Sequence, residues 1–229
     1  MERISTGIEG LDELVEGGFP ESASILISGP AGAMKSLIGL QYLVYGAEHD
    51  QPGLYISIEA FDTELQWDAE KFGWDIQALQ DQDKLLFTVY DPVELPKFAM
   101  KTLRSDIVIN LIKLIDSTGI KRVVFDAITP IALEIKDQSE FRTIMFTISK
   151  LMKEKGVTTL FIAEESDEKI VEHVEEFVMD GIIETFFEKE DSENKPSLRV
   201  KKMLGTSHSA KLHRLEVGKS GVRVLPYYY

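Results

Sequence analysis

The chain has 229 residues, 44% hydrophobic and 28% charged, a balance that excludes a disordered polymer and fits one α/β domain around a single core. Its formal charge of −14 sets the overall field against the phosphate backbone of nucleic acid, and the lack of cysteine excludes disulfides and thiolate metal sites. No stretch approaches the ~18 apolar residues of a membrane span, and the first residues lack a basic start followed by an apolar run, so no membrane insertion and a cytoplasmic location are expected.

In chain order, residues 23–28 form a short apolar run bounded by turn residues, as in a strand buried on both faces. A helix over 36–48 follows, with Leu37, Leu40, Tyr42, Leu43 and Val44 placed to pack on a sheet. A strand at 54–58 leads into a helix over 62–72, which Asp62 or Thr63 can cap. The alternation continues through a strand at 85–89, a helix at 104–117, a strand at 122–126, a helix at 138–155 and a strand at 158–163. Such alternation predicts parallel βαβ units in a mostly parallel central sheet flanked by helices. From residue 181 strand-like runs at 182–187, 197–203, 212–217 and 222–225 follow one another without long helices, which predicts an antiparallel β extension at one edge. The division expected within a single domain is therefore 1–180 and 181–229. The polar stretch 188–196 reads as an exposed hairpin loop. The C-terminal cations Arg199, Lys201, Lys202, Lys211, His213 and Arg214 either line a local basic patch or form a solvated strand face.

Between the first core strand and its helix lies Gly29-Pro30-Ala31-Gly32-Ala33-Met34-Lys35-Ser36, the setting a phosphate-binding loop requires. Successive backbone N–H groups and the helix N-terminus point at phosphate oxygens, a lysine reaches the β- and γ-phosphates, and a serine hydroxyl holds Mg²⁺. The nucleotide-binding set is thus Gly29, Pro30, Ala31, Gly32, Ala33, Met34, Lys35, Ser36 and Leu37, with ATP or ADP as ligand. Met34 stands where the pattern asks for glycine, which is tolerable at negative φ and costly at positive φ. A degenerate loop that no longer holds nucleotide is the alternative reading. The strand at 122–126 ends in Asp126, whose carboxylate pairs with Ser36 as the metal-holding set. Glu59 follows the neighbouring strand and is the candidate general base, orienting or deprotonating the attacking water. Ligands bind at the C-terminal ends of parallel strands, where Lys35, Ser36, Glu59 and Asp126 can meet. Asp62 and Glu64 are acids at a helix start, where acids are favoured anyway.

With those residues in place the chain resembles the KaiC-like branch of the RecA superfamily, which includes the bacterial and archaeal recombinases. The resemblance spans most of the length. It is carried by the run from Ser5 to Pro20, by Arg122-Val-Val-Phe-Asp126 with Ala127-Ile128-Thr129, by the run from Glu176 to Ile183, and by Lys202-Met-Leu-Gly-Thr-Ser-His208. It implies a RecA-like P-loop core that assembles side by side into a homo-oligomer, hexamer or filament, with MgATP at the subunit interface. Glu59 matches the first of the paired glutamates typical of these domains, and Ala60 stands at the second. Lys202 matches a basic residue that reaches the γ-phosphate of the adjacent subunit, which makes it catalytic along with Glu59 and Lys35. The arginine usual two residues later is Leu204 here. These departures imply slow or switch-like turnover. A regulatory ATP-binding module acting on a protein partner is a competing class, and a DNA-binding recombinase a third, disfavoured by charge. His208 is a phosphate sensor or, more simply, a surface or capping residue. Trp67 and Trp74 read as core or interface anchors, and the terminal run from Pro226 to Tyr229 as a stacked or a frayed tail.

Overall fold

The apolar runs pair into one nine-stranded sheet in the computed structural model, which describes residues 1–58, 63–89, 106–135, 137–164, 178–190 and 193–225. The strands are β1 (Arg3–Ile4), β2 (Phe19–Pro20), β3 (Ser24–Gly29), β4 (Gly53–Ser57), β5 (Leu85–Val89), β6 (Arg122–Asp126), β7 (Thr158–Glu164), β8 (Gly181–Glu190), β9 (Glu193–Met203), β10 (His213–Gly218) and β11 (Gly221–Val224). The helices are α1 (Leu11–Leu14), α2 (Lys35–Glu48), α3 (Thr63–Phe72), α4 (Ile76–Asp81), α5 (Asp106–Thr118), α6 (Thr129–Glu134) and α7 (Gln138–Glu154). Strands β1 and β2 form a small separate ribbon, and the main sheet runs β11-β10-β9-β8-β3-β7-β6-β4-β5. The six strands from β8 to β5 are mutually parallel, and β9, β10 and β11 continue antiparallel.

Alternate residues of each parallel strand face two cores. Ile25, Ile27, Val124, Leu160 and Ile162 meet α2 on one side, while Leu26, Leu54, Ile56, Phe125 and Phe161 meet α5 and α7 on the other. Helix α2 is buried nearly all round, because the N-terminal segment and β11 cover the face turned away from the sheet. Gln41 closes that cover. Its amide donates to the Gly7 and Val222 carbonyls at 3.0 and 3.1 Å and accepts from the Val222 N–H at 2.7 Å.

Two expectations change. The first late strand, β8, pairs parallel with β3, so the antiparallel part begins only at β9. The stretch 188–196, expected as a loop, is mostly ladder, with Glu188↔Lys195, Lys189↔Asn194 and Glu190↔Glu193 in register. Backbone pairing does not depend on apolar side chains, so a hairpin seeded by Ile182, Ile183, Leu198 and Val200 extends through charged residues. Helices α4 and α6 were not expected, and each is only six residues long, too short for a helical period to show.

At its start β6 carries a buried guanidinium. Arg122 is 1% exposed, donates to the Tyr42 carbonyl at 2.8 Å and to the Gln51 side chain, and lies 4.5 Å over the Tyr42 ring. Burial lowers its pKa from the ordinary value, opposed by the two nearby tyrosines. A cation beside the last turn of α2 complements the helix dipole. Gly46 makes room for it, since a Cβ there would stand 2.3 Å from Arg122 Nε.

No described helix is long and apolar enough to cross a membrane.

Candidate functional site

Register brings the chemistry to one end of the sheet. Gly29 pairs with Glu164 and Ser57 with Asp126, so β3, β4, β6 and β7 finish in one row, and α2 begins immediately beyond. The strand ends, the loop and the helix N-terminus therefore share one crevice, as ligand sites of open α/β sheets do.

The loop holds the left-handed conformations that turn N–H groups inward. Gly29 has φ 148° and approaches Thr185 so closely that a Cβ would lie 2.2 Å from its hydroxyl; Gly32 has φ 77°. Met34 adopts φ 65° and ψ 14°. This is the costly case for a side chain, on the order of 1–2 kcal/mol. The methionine keeps the backbone shape a glycine would have, and its side chain packs against the α2 core. Its carbonyl accepts the first helical bond, from Ile38 N at 2.9 Å.

Lys35 is 5% exposed and its ammonium donates to the Gly29 and Pro30 carbonyls at 2.9 and 2.8 Å, straddling the loop. The hydroxyl of the next residue, Ser36, lies close enough to Asp126 to favour its charged form. Tyr55 donates its O–H to the same carboxylate. Burial pushes the Asp126 carboxyl above its ordinary value, opposed by the Ser36 and Tyr55 hydroxyls and by the Lys35 charge, and reinforced by Glu164. A buried acid that resists ionisation beside a lysine and a serine hydroxyl is a donor set suited to a divalent cation, which would favour the charged form. The Asp126–Ala127 peptide is cis. Thr129, opening α6, ties β6 to β7 by accepting from Glu164 N at 2.8 Å.

The candidate base Glu59 lies outside the described residues, as do Ala60, Asp62 and the run 226–229. Ile58, the last described residue before it, donates its N–H to the Asp126 carbonyl at 2.9 Å. Lys202 lies elsewhere. It pairs with Ile182, which pairs with Leu26, so it stands two strands aside and three residues below Gly29, on the order of 14 Å away. Its ammonium donates to the Met179 carbonyl at 2.7 Å. Leu204, just past β9, is 50% exposed. Of the other C-terminal cations, Arg199 and Lys201 share Glu184 at 2.5 and 3.0 Å, and Arg214 pairs with Glu216 at 3.6 Å, so the basic patch is partly offset by two carboxylates. Trp67 is exposed, whereas Trp74 packs against Phe72 with ring centroids 5.0 Å apart.

Three participants escaped sequence reasoning: Tyr55, Glu164 and Arg3. A tyrosine in an otherwise apolar buried strand signals a hydroxyl in need of a partner, and that signal was available in Gly53-Leu-Tyr-Ile-Ser57. Arg3 joins two of the motifs that carry the resemblance. Its guanidinium donates to the Val15 and Gly18 carbonyls at 2.8 and 3.0 Å, and to Gly205 O and Thr206 Oγ1 at 3.1 and 3.0 Å. Within the first motif, Asp12 accepts from Ser5 Oγ and Thr6 Oγ1, both at 2.6 Å, and from Thr6 N at 2.8 Å, which explains its sequence as a local brace.

Comparison with known proteins matches the family model described as "ATPase: KaiC" to residues 4–228. A UPF0273 protein of Thermotoga maritima is 31% identical over 99% of this chain and 97% of its own length. The circadian clock oscillator protein KaiC of Prochlorococcus marinus is 31% identical over 98% of this chain, which spans about half (46%) of that protein. Among solved structures, a KaiC-like protein from the hyperthermophilic archaeon Pyrococcus horikoshii superposes with a TM-score of 0.82 at 28% identity, covering 98% of this chain and 99% of the other. The chain therefore belongs to the KaiC ATPase family and has its RecA-like fold.

Proposed function

We propose that this chain, as a single domain, binds MgATP at the loop from Gly29 to Leu37 and hydrolyses it slowly within a homo-oligomer, with nucleotide between subunits. Family membership supports ATP binding and ATPase activity. The observation that carries the finer reading is the convergence of Lys35, Ser36 and Asp126 at the start of α2. Backbone N–H groups from Gly32 to Lys35 bind phosphate oxygens irrespective of the Met34 side chain. Lys35 exchanges the Gly29 and Pro30 carbonyls for the β- and γ-phosphates. Ser36 and Asp126 would hold Mg²⁺, which neutralises charge on the β- and γ-oxygens when bound. Glu59 is proposed to take the proton of the attacking water.

Lys202 is proposed to serve the adjacent subunit, a reading supported by its distance from its own loop. An arginine supplied in trans contributes about 10³-fold or more to phosphoryl transfer, and a lone lysine, without the bidentate fork, contributes less. Leu204 and Ala60 thus favour slow turnover or a switch set by occupancy. The charge of −14 and the pairing of Arg199, Lys201 and Arg214 with acids disfavour DNA as a partner.

Calorimetry with MgATP and ADP, and turnover measured alongside molecular mass, test the proposal. Specific activity should rise as oligomers form, Lys202→Ala should remove the rise, Leu204→Arg should increase turnover, and Glu59→Gln should spare binding while lowering hydrolysis. No affinity for either nucleotide at millimolar concentration would leave the degenerate-loop reading, and activity per subunit that stays flat from monomer to oligomer would refute the trans role.

A further inference from the structure

Asp126 has two hydroxyls of different standing near it, and Tyr55 is the one that hydrogen-bonds it. Ser36 belongs to the phosphate loop and its helix, and it is itself proposed as a metal ligand. Tyr55 comes from the sheet. It is the third residue of β4, 2% exposed, and pairs across the ladder with Val124, while Ser57 pairs with Asp126. Two residues apart in register and on the same face, Tyr55 and Asp126 are diagonal neighbours, within reach of a side chain as long as tyrosine. Its phenol donates to Asp126 Oδ2. The ring is braced by Phe87 on β5, stacked with centroids 5.7 Å apart and planes 28° apart.

We infer that Tyr55 is a positioning residue that fixes the Asp126 carboxylate for the divalent cation accompanying the nucleotide. The inference rests on the metal-holding role proposed above for Ser36 and Asp126. A cation that takes up the Ser36 oxygen changes what Ser36 offers Asp126. The Tyr55 bond approaches from within the sheet and is unaffected. Among the described residues it is therefore the hold on Asp126 that is the same before and after metal arrives. Partners behind a metal-holding carboxylate commonly alter metal affinity by 10- to 100-fold when removed. Asp126 is expected to reach the metal's water shell, so the lower end, about tenfold, applies here.

Tyr55→Phe removes the one hydroxyl and keeps the ring. Binding of a fluorescent methylanthraniloyl-ATP is measured in EDTA and across a Mg²⁺ titration, with thermal unfolding as the control for folding. The expected result is a midpoint for Mg²⁺ about tenfold higher in Tyr55→Phe, with affinity in EDTA within twofold of the unmodified chain. In an Asp126→Asn background the same change should add nothing. An unshifted Mg²⁺ midpoint in folded Tyr55→Phe overturns the inference while leaving the nucleotide site intact. An equal loss with and without Mg²⁺ overturns it too, since that marks a merely structural role. If the unmodified chain binds nucleotide with no response to Mg²⁺, the proposed metal role fails and the inference falls with it. Should Tyr55→Phe not fold, Phe87→Leu loosens the brace and should move the midpoint in the same direction by a smaller factor; no movement there counts against Tyr55.

Discussion

The two ends of β6 carry opposite charges on the same face, and they are treated differently. Arg122, at the bottom of the strand, meets the C-terminal turn of α2, and Asp126, at the top, meets its N-terminus. Both signs suit the helix dipole. Arg122 is surrounded by neutral acceptors and two tyrosine rings, all supplied by its own chain. Asp126 has hydroxyl donors and a lysine nearby, yet its carboxyl still lies above the ordinary range because burial outweighs them. One end is satisfied within the chain and serves stability. The other carries the proposed metal site, and its raised carboxyl fits a place where function is kept at some cost to the fold.

The strongest test of that contrast is Arg122→Leu, which strands the Gln51 and Tyr42 acceptors and leaves a gap beneath α2. A loss of about 2–4 kcal/mol is expected. At this length that corresponds to a melting temperature roughly 5–15 °C lower in thermal unfolding. A loss below ~1 kcal/mol would break the comparison.

Next in size is Lys35→Ala. It removes the cation proposed to meet the β- and γ-phosphates, a charge-assisted contact of about 2–3 kcal/mol, so ATP affinity by calorimetry should fall roughly 30- to 160-fold. The melting temperature should move far less than for Arg122→Leu.

Asp126→Asn should reverse the sign of the stability change. Because the folded carboxyl titrates above its unfolded value of 3.8, ionisation costs stability as pH rises through the folded pKa, and the cost is absent below the unfolded one. The variant should be more stable at neutral pH, with the sign opposite to that of Arg122→Leu. The advantage should vanish on acidification below pH ~4 in denaturant titrations. Mg²⁺-dependent tightening of nucleotide should be lost in the variant, and in the parent chain should weaken in acid at a higher pH than an ordinary carboxylate would give.

Met34→Gly is expected to have the smallest effect. Relief of left-handed strain, ~1–2 kcal/mol, opposes the loss of a half-buried side chain, so stability should change by less than ~1 kcal/mol and ATP affinity by less than about threefold. Met34→Val is the sharper control. A β-branched residue is less tolerant of φ 65°, so it should destabilise clearly more than glycine.

What the sequence determined by itself is what a local pattern can encode. Apolar runs marked β3, β4, β6 and β7 to within a residue or so, because burial on both faces favours apolar side chains, and the half-buried edge strand β5 showed a similar run. The loop proposed to bind phosphate was legible as a strand-to-helix turn, because the glycine, lysine and serine such chemistry needs stand adjacent in the chain. Only the tertiary structure decided what depends on register between strands far apart in sequence. Tyr55 and Asp126 are 71 residues apart, as are Gln51 and Arg122, and their bonds exist because β4 lies beside β6 in one particular alignment. The φ of Met34 was equally out of reach, since the residue type argues against a value that the surrounding loop and core impose. So was the position of Lys202, which a motif names but only the β3, β8 and β9 pairings set at the level of Leu26, below its own phosphate loop. A periodic pattern reports which face a residue takes; which other residue shares that face is settled by packing.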